Sequence, residues 1–307
     1  MIANLRVKEI VLSAGLDAVG VTSTQRSGAL CVISAAACYL TSEPADATTP
    51  GRPHGTVARY TWRNYYRDTR AKLQDAAKVL RSEFGMETHC HCCAAPGRLA
   101  EKSIASQAGV GYYGKNGIIL TEKFGSWVVL GEIETDLAIE PDAPLEKDCG
   151  LCTACMDACP TQALAEPYVL NTERCLQYLM NWRGILPVPI RELWGNRLYG
   201  CTTCQDVCPK NKTVAPTERR FKTGFVGCSL PLLEVLGMDE PTFRARFQGN
   251  QLGARWIDRD CIRRNAAVAL GNLGDPAAIP ALEKSLTDPS EMVRVHTAWA
   301  LEKLACT

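Results

Sequence analysis

Apolar residues near the start of the chain recur at helical spacing. Val7, Ile10, Val11 and Ala14 share one face of a helix predicted over 4–15, and Gly15 ends it. Short runs rich in small and β-branched residues then predict strands over 17–22 and 29–34. Pro44, Pro50, Gly51, Pro53 and Gly55 mark 42–57 as a loop. A long helix is predicted over 65–84, a short strand over 90–95 and a helix over 99–108. A glycine turn follows at 109–114. Strands are predicted over 118–121 and 126–133, with Phe124-Gly125 as the turn of a hairpin. Helices and strands thus alternate to about residue 140, the pattern of an α+β or α/β sheet domain. Residues after 228 read as helical. There Arg263–Leu273 lines up with Arg294–Leu304, and Asp275-Pro276 and Asp288-Pro289 punctuate the turns. This reads as HEAT-like helical repeats. Two such units are too few for a solenoid and are expected to cap the preceding module.

The 307 residues allow more than one domain, and a net charge of +1 creates no global field for nucleic acid, so any such binding needs a local basic patch. No apolar run reaches the ~20 residues of a membrane span. The N-terminal stretch mixes charges into an amphipathic helix rather than a signal peptide. Sixteen cysteines in such a chain point to a reducing, cytoplasmic setting.

Eight of those cysteines lie between Cys149 and Cys208. Cys149, Cys152, Cys155 and Cys159-Pro160 match the bacterial C-x2-C-x2-C-x3-C-P pattern. Cys201, Cys204 and Cys208-Pro209 repeat it, with Cys175 standing in for the first cysteine. In such motifs three thiolates from one loop grip a cubane, and the one before proline turns to the other cluster. The spacing therefore assigns Cys149, Cys152, Cys155 and Cys208 to one 4Fe–4S cluster. Cys175, Cys201, Cys204 and Cys159 are assigned to a second. A closed zinc site does not need the Cys-Pro endings. The domain boundaries expected are 1–141 for a sheet domain, 142–227 for a ferredoxin-like module and 228–307 for the helical repeats.

The order of motifs resembles the epoxyqueuosine reductase family. The stretches that carry it are Val57-Ala-Arg-Tyr60, Gly109-Val-Gly-Tyr-Tyr-Gly-Lys-Asn116, Gly125-Ser-Trp-Val-Val-Leu-Gly-Glu-Ile133, the run from Cys149 to Leu164, Pro167-Tyr-Val-Leu170, Arg174-Cys-Leu-Gln-Tyr178, Gly195-Asn-Arg-Leu-Tyr-Gly-Cys201, Cys204-Gln-Asp-Val-Cys-Pro209 and Arg264-Asn-Ala-Ala-Val-Ala-Leu-Gly-Asn272. The resemblance implies an N-terminal cobalamin domain, a double-cubane module and a helical domain that helps hold tRNA. It implies reductive deoxygenation of epoxyqueuosine in tRNA, a step of queuosine biosynthesis. Electrons from a ferredoxin- or flavodoxin-type donor would pass through both clusters to cobalamin while a carboxylic acid gives a proton. The cofactor carries the hard step and the protein supplies position and proton. A monomer is expected. Through the resemblance, Arg59, Tyr60, Gly114, Lys115, Asn116, Ser126 and Trp127 are candidate cofactor contacts.

The chain departs from the family pattern at three polar positions. Asn64-Tyr65-Tyr66 stands where the family has Asp-Tyr-His, and the family's acid falls on Ala95 or Cys93 according to alignment. The N-terminal portion is about 40 residues shorter than the family pattern. Loss of a general acid costs about 100- to 10,000-fold, so a changed substrate is one reading. A reductase of another small molecule, or an electron carrier without tRNA-modifying activity, are the alternatives. In place of the acid sits Thr88-His89-Cys90-His91-Cys92-Cys93. It reads as a soft-metal site, as a catalytic thiol at Cys93 tuned by His91, or as small buried residues in a strand. Lys115 is a catalytic or cofactor-facing candidate, or else a solvated turn lysine. Tyr66 is a proton donor or, like Tyr65, a core aromatic. Arg59 is a pocket cation or the partner of a structural carboxylate. Arg219, Arg220, Lys222, Arg263 and Arg264 are candidate phosphate contacts or a solvated face. Cys31, Cys38, Cys228, Cys261 and Cys306 read as ordinary buried or partly buried thiols.

Overall fold

The computed structural model describes residues 4–24, 29–42, 47–84, 91–93, 100–217 and 224–306, the backbone alone for 91–93. Helix α1 (Asn4–Ser13) buries Val7, Ile10 and Val11, as their spacing requires. Gly15 turns the chain at φ 90°, and Lys72 Nζ donates to its carbonyl at 2.7 Å. Strands β1 (Ala18–Ser23) and β2 (Cys31–Cys38) follow. Within the stretch expected as loop, β3 (His54–Val57) forms because two distant strands supply its ladder. Helix α2 (Tyr65–Phe84), β4 (His91–Cys93) and α3 (Glu101–Gln107) come next. Then come β5 (Tyr112–Tyr113), β6 (Ile119–Leu120) and β7 (Val128–Thr135).

The expected hairpin between 118–121 and 126–133 is not made. Strand β6 pairs back onto β5, and β7 pairs with β2 and β4. The physical reason is local. Gly117, at φ 71°, lets the chain fold β6 onto β5, and Gly114 N donates to Ile118 O at 2.8 Å. Around Phe124-Gly125 only a single bridge forms, Thr121 to Gly125.

The main sheet has the order β1-β2-β7-β4, and each of its pairings is antiparallel. Its central β2 is buried throughout and made of small residues where helices press on both faces. Ile33, Ala35 and Ala37 pack toward Leu73, Ala77 and Leu80 of α2. Ala36 packs toward Ala105 and Ala108 on the other side. A Cβ at Gly20 would lie 1.9 Å from the Ala108 carbonyl oxygen, so glycine lets the α3 end settle onto β1.

The cysteine-rich segment is built from short helices: α4 (Ala154–Asp157), α5 (Leu176–Leu179), α6 (Val188–Glu192), α7 (Thr203–Asp206) and α8 (Pro209–Lys212), with β8 (Arg197–Tyr199) between α6 and α7. Beyond it come β9 (Ser229–Pro231), α9 (Leu232–Gly237), α10 (Glu240–Arg246), α11 (Arg259–Leu273), α12 (Ile279–Ser285) and α13 (Glu291–Ala305). The start of this region is therefore a strand, not a helix. A second sheet, β8-β3-β9, places the N-terminal β3 between a strand of the cysteine-rich segment and one of the C-terminal segment. The repeated stretches are α11 and α13. They pack through Gly271, where a Cβ would approach Ala300 to 2.9 Å.

Two of the arginines offered for phosphate contact are inside the protein. Arg264 is wholly buried. It donates to the carbonyls of Leu179 (2.7 Å), Trp182 (2.6 Å) and Gly184 (3.0 Å). Arg263 is buried and pairs with Asp288. Arg264 points at the segment beneath α11, where backbone carbonyls accept from it, while Arg263 points toward α9 and donates to Leu236 O at 2.8 Å. Arg219, Arg220 and Lys222 lie outside the described residues. Cys306 is exposed, contrary to expectation, because it follows the last turn of α13. Among the described residues no helix is long and apolar enough to cross a membrane.

Candidate functional site

The eight motif cysteines divide between two neighbouring cavities. Cys149, Cys152, Cys155 and Cys208 line one, together with Gly114, Lys115 and Asn116. Cys159, Cys175, Cys201 and Cys204 line the other, which has a volume of about 370 Å³. Each Cys-Pro cysteine thus crosses to the partner motif, and a local reason is visible. Pro160 and Pro209 cannot donate a backbone hydrogen bond, and Cys208 is the extended residue ahead of α8. The two motifs fold alike. Thr153 Oγ1 donates to Asp157 at 2.7 Å ahead of α4, and Thr202 Oγ1 donates to Asp206 at 2.8 Å ahead of α7. Cys175 precedes α5, and Cys159 Sγ accepts from Ala163 N at 3.3 Å.

Burial pushes the thiols of Cys155 and Cys175 up and that of Cys204 to about 12, with neighbouring thiolates adding to the effect. Four thiolates crowded around one cavity need a polycationic centre to offset this, which is what an iron–sulfur core supplies. The donor set therefore fits a cubane in each cavity. The first set lies near the surface. Cys152 is exposed, and Leu151 is fully exposed beside it. Asn116 is buried between the two cavities and lines both.

The larger cavity opens from the second cysteine set onto the main sheet. Tyr39, Tyr60 and Tyr66 line it, with Val128 and Val129 of β7, Leu164 and Leu170. Tyr60 donates to Gln177 Oε1 at 2.5 Å, and the same oxygen accepts from Cys201 N at 3.1 Å. Gln177 thereby ties the tyrosine wall to the cysteine loop. Burial holds the Tyr66 phenol at about 12 and that of Tyr60 well above the ordinary value, so both remain protonated donors. Lys102 also lines this cavity and donates to Gly117 O at 2.8 Å.

The other sequence-derived candidates do not all converge here. Ser126 lines the tyrosine cavity, where its Oγ accepts from Gln205 Nε2 (3.1 Å) and Asn211 Nδ2 (2.8 Å). It fastens the cysteine module to the sheet. A Cβ on neighbouring Gly125 would lie 2.1 Å from Asn211 Oδ1, and its φ is 53°. Trp127 is buried against Tyr39. Gly114 and Lys115 lie at the first cysteine cavity, with Lys115 Nζ donating to Gly150 O at 2.7 Å. Arg59 lines a third, polar cavity of about 420 Å³ that shares Cys201 with the tyrosine-lined one. It donates to Thr41 O at 2.9 Å and lies over the rings of Trp62 and Trp127. The backbone of Cys93 sits on β4 opposite Glu132. Thr88, His89, Cys90 and Ala95 lie outside the described residues. Gln177, Gln205 and Asn211 escaped the sequence reading, because isolated amides carry no spacing signal.

A family model for a 4Fe-4S double cluster binding domain matches residues 148–211. One for HEAT repeats matches 258–305. Epoxyqueuosine reductase from Bacillus subtilis is 36% identical over 263 residues, covering 85% of this chain and 67% of that protein. The Pseudomonas aeruginosa enzyme of the same name is 37% identical over 289 residues, covering 90% and 77%. A crystal structure of selenomethionine-labeled epoxyqueuosine reductase superposes with a TM-score of 0.89 at 29% identity, covering 98% of this chain and 90% of the other. Another, with an epoxyqueuosine-modified tRNA-Tyr stem loop, superposes at 0.88 with the same identity, covering 98% and 89%.

Proposed function

The chain belongs to the epoxyqueuosine reductase family and is an iron–sulfur oxidoreductase; on that premise we propose that it reduces epoxyqueuosine in tRNA with cobalamin as the reacting cofactor. The observation that carries this reading is the half-open, tyrosine-lined cavity adjoining the second cysteine set. Its mixed apolar and phenolic walls fit a broad macrocycle with polar edges. When bound there, cobalamin would supply a strongly reducing cobalt centre next to the second cluster.

The residues of this chain divide the remaining work. Cys149, Cys152, Cys155 and Cys208 hold the cluster nearest the surface, where exposed Leu151, Tyr168 and Val169 offer a ferredoxin- or flavodoxin-type donor an apolar contact. Cys159, Cys175, Cys201 and Cys204 hold the cluster at the cavity. Tyr60, held by Gln177, and Tyr66 orient polar groups of the occupant and keep their protons at neutral pH. Segments 1–141, 142–227 and 228–307 serve as cofactor domain, electron-transfer module and helical cap. The cap supports binding of a tRNA stem loop, the kind of ligand with which one relative was solved.

Anaerobic reconstitution with iron, sulfide and cob(II)alamin tests the reading. Gel filtration should retain the corrinoid with about eight irons, EPR should report its base-off form, and a modified tRNA stem loop should lose its epoxide under reducing conditions. Eight irons with no retained corrinoid would overturn the cobalamin assignment and favour an electron carrier.

A further inference from the structure

One acidic side chain stands inside the main sheet with no structural partner. Glu132 of β7 is completely buried, and neither carboxylate oxygen meets a hydrogen-bond partner among the described residues. Ser34, opposite it on β2, is also buried with its hydroxyl unpartnered. Strand alternation puts Glu132 on the same face as Val128 and Leu130, the face that α3 covers. Val128 lines the tyrosine cavity.

Helix α3 links that carboxyl to the cavity. Glu101, in its first turn, acts electrostatically on both Glu132 and Tyr66. Its neighbour Lys102 and Tyr66 both line the cavity wall. The other titratable group that acts on Glu132 is Glu134 on β7, and the backbone register of β4 sets Cys93 opposite Glu132 and His91 opposite Glu134. No cation among the described residues acts on Glu132. A carboxylate in such surroundings keeps its proton. Burial, reinforced by Glu101 and Glu134, raises its pKa to about 8. An acid poised near neutrality is what general acid catalysis requires. A strand position with only a packing role would be filled at less cost by an apolar residue.

We propose that Glu132 is the proton store of this enzyme, feeding the tyrosine-lined cavity from the face of the sheet that α3 covers. This rests on the reductase reading. It supplies the acid missing at both Cys93 and Ala95. In the reductive step two electrons arrive through the clusters from the external donor. Both epoxide C–O bonds break, a C=C bond forms and the oxygen leaves as water with two protons. Tyr66 gives one proton to the departing oxygen, and the proton that restores the phenol comes from Glu132. Solvent supplies the second proton and recharges Glu132. Glu132 is therefore a positioning residue for the proton, and Tyr66 is the group that meets the substrate.

The test is infrared titration of the reconstituted holoenzyme from about pH 6 to about pH 10, alongside single-turnover rates over the same range. A buried carboxylic acid band should be present at the low end, fade as pH rises through about 8, and be absent in Glu132→Gln. The wild-type rate should fall over the same interval. Glu132→Gln should lose about 100-fold together with that pH dependence, while keeping its iron. Tyr66→Phe should lose rate but retain the band, which covers the case of a Glu132→Gln protein that does not fold. Glu132 ionised at the low end, or a Glu132→Gln rate with the wild-type profile, overturns the proposal. A titrating band in a holoenzyme that cannot reduce epoxyqueuosine supports the store and overturns the proposed substrate.

Discussion

Single residues decide whether each cavity works. Cys152→Ala removes one thiolate from the surface set and should leave about four of about eight irons. Iron and sulfide analysis of the purified variant checks this, and full retention would break the ligand assignment. His296 makes a second case. It is fully buried, its Nε2 accepts from Leu186 N at 3.0 Å and its Nδ1 faces Met292 O at 2.7 Å. Burial lowers its pKa from 6.5 to about 3. The unfolded chain therefore binds a proton that the folded chain refuses. The stability of the neutral form is complete above about pH 6.5 and is lost as pH falls toward 3. On the order of 2 kcal/mol should disappear by about pH 5. Urea unfolding at neutral and mildly acid pH should show a smaller drop for His296→Gln than for wild type.

At the scale of elements, close approach matters more than propensity. The α3 end reaches β1 only because Gly20 leaves room for the Ala108 carbonyl. Gly20→Ala should lift it and cost at least 1–3 kcal/mol, on the order of overpacking in a rigid core. A thermal melt of the variant measures this, and an unchanged melting temperature would show that α3 can shift freely. Glycine at 20 read only as a strand residue in the sequence, since the neighbour that forbids a Cβ is almost ninety positions away along the chain. The misplaced hairpin has the same origin. Proximity along the chain points β7 to the nearest strand, whereas the buried face of β2 competes better for its ladder.

The whole molecule is held together by the sheet β8-β3-β9 and by the donors of α11. Arg264 and Asn265 satisfy the carbonyls of Leu179, Met180 and Leu198, close to Cys175 and Cys201 in sequence. Deleting residues from 258 onward should therefore uncover the core around Trp194 and Leu198 and strip about half of the iron, that of the second cluster. Soluble yield and iron content of the truncated protein test this. A soluble product with all its iron would make the helical repeats an independent appendage.

The sequence by itself determined the elements with strong periodicity, the repeat, and the pairing of eight cysteines into two sets, because these signals are local or written in fixed spacing. Helix α2 spans the residues that its pattern requires. The tertiary structure decided which groups face one another. It turned Arg263 and Arg264 inward, carried Lys115 to the first cysteine cavity and Tyr66 to the second, and isolated Glu132 beneath α3. Burial and electrostatics depend on neighbours remote in the chain, and no spacing rule encodes them.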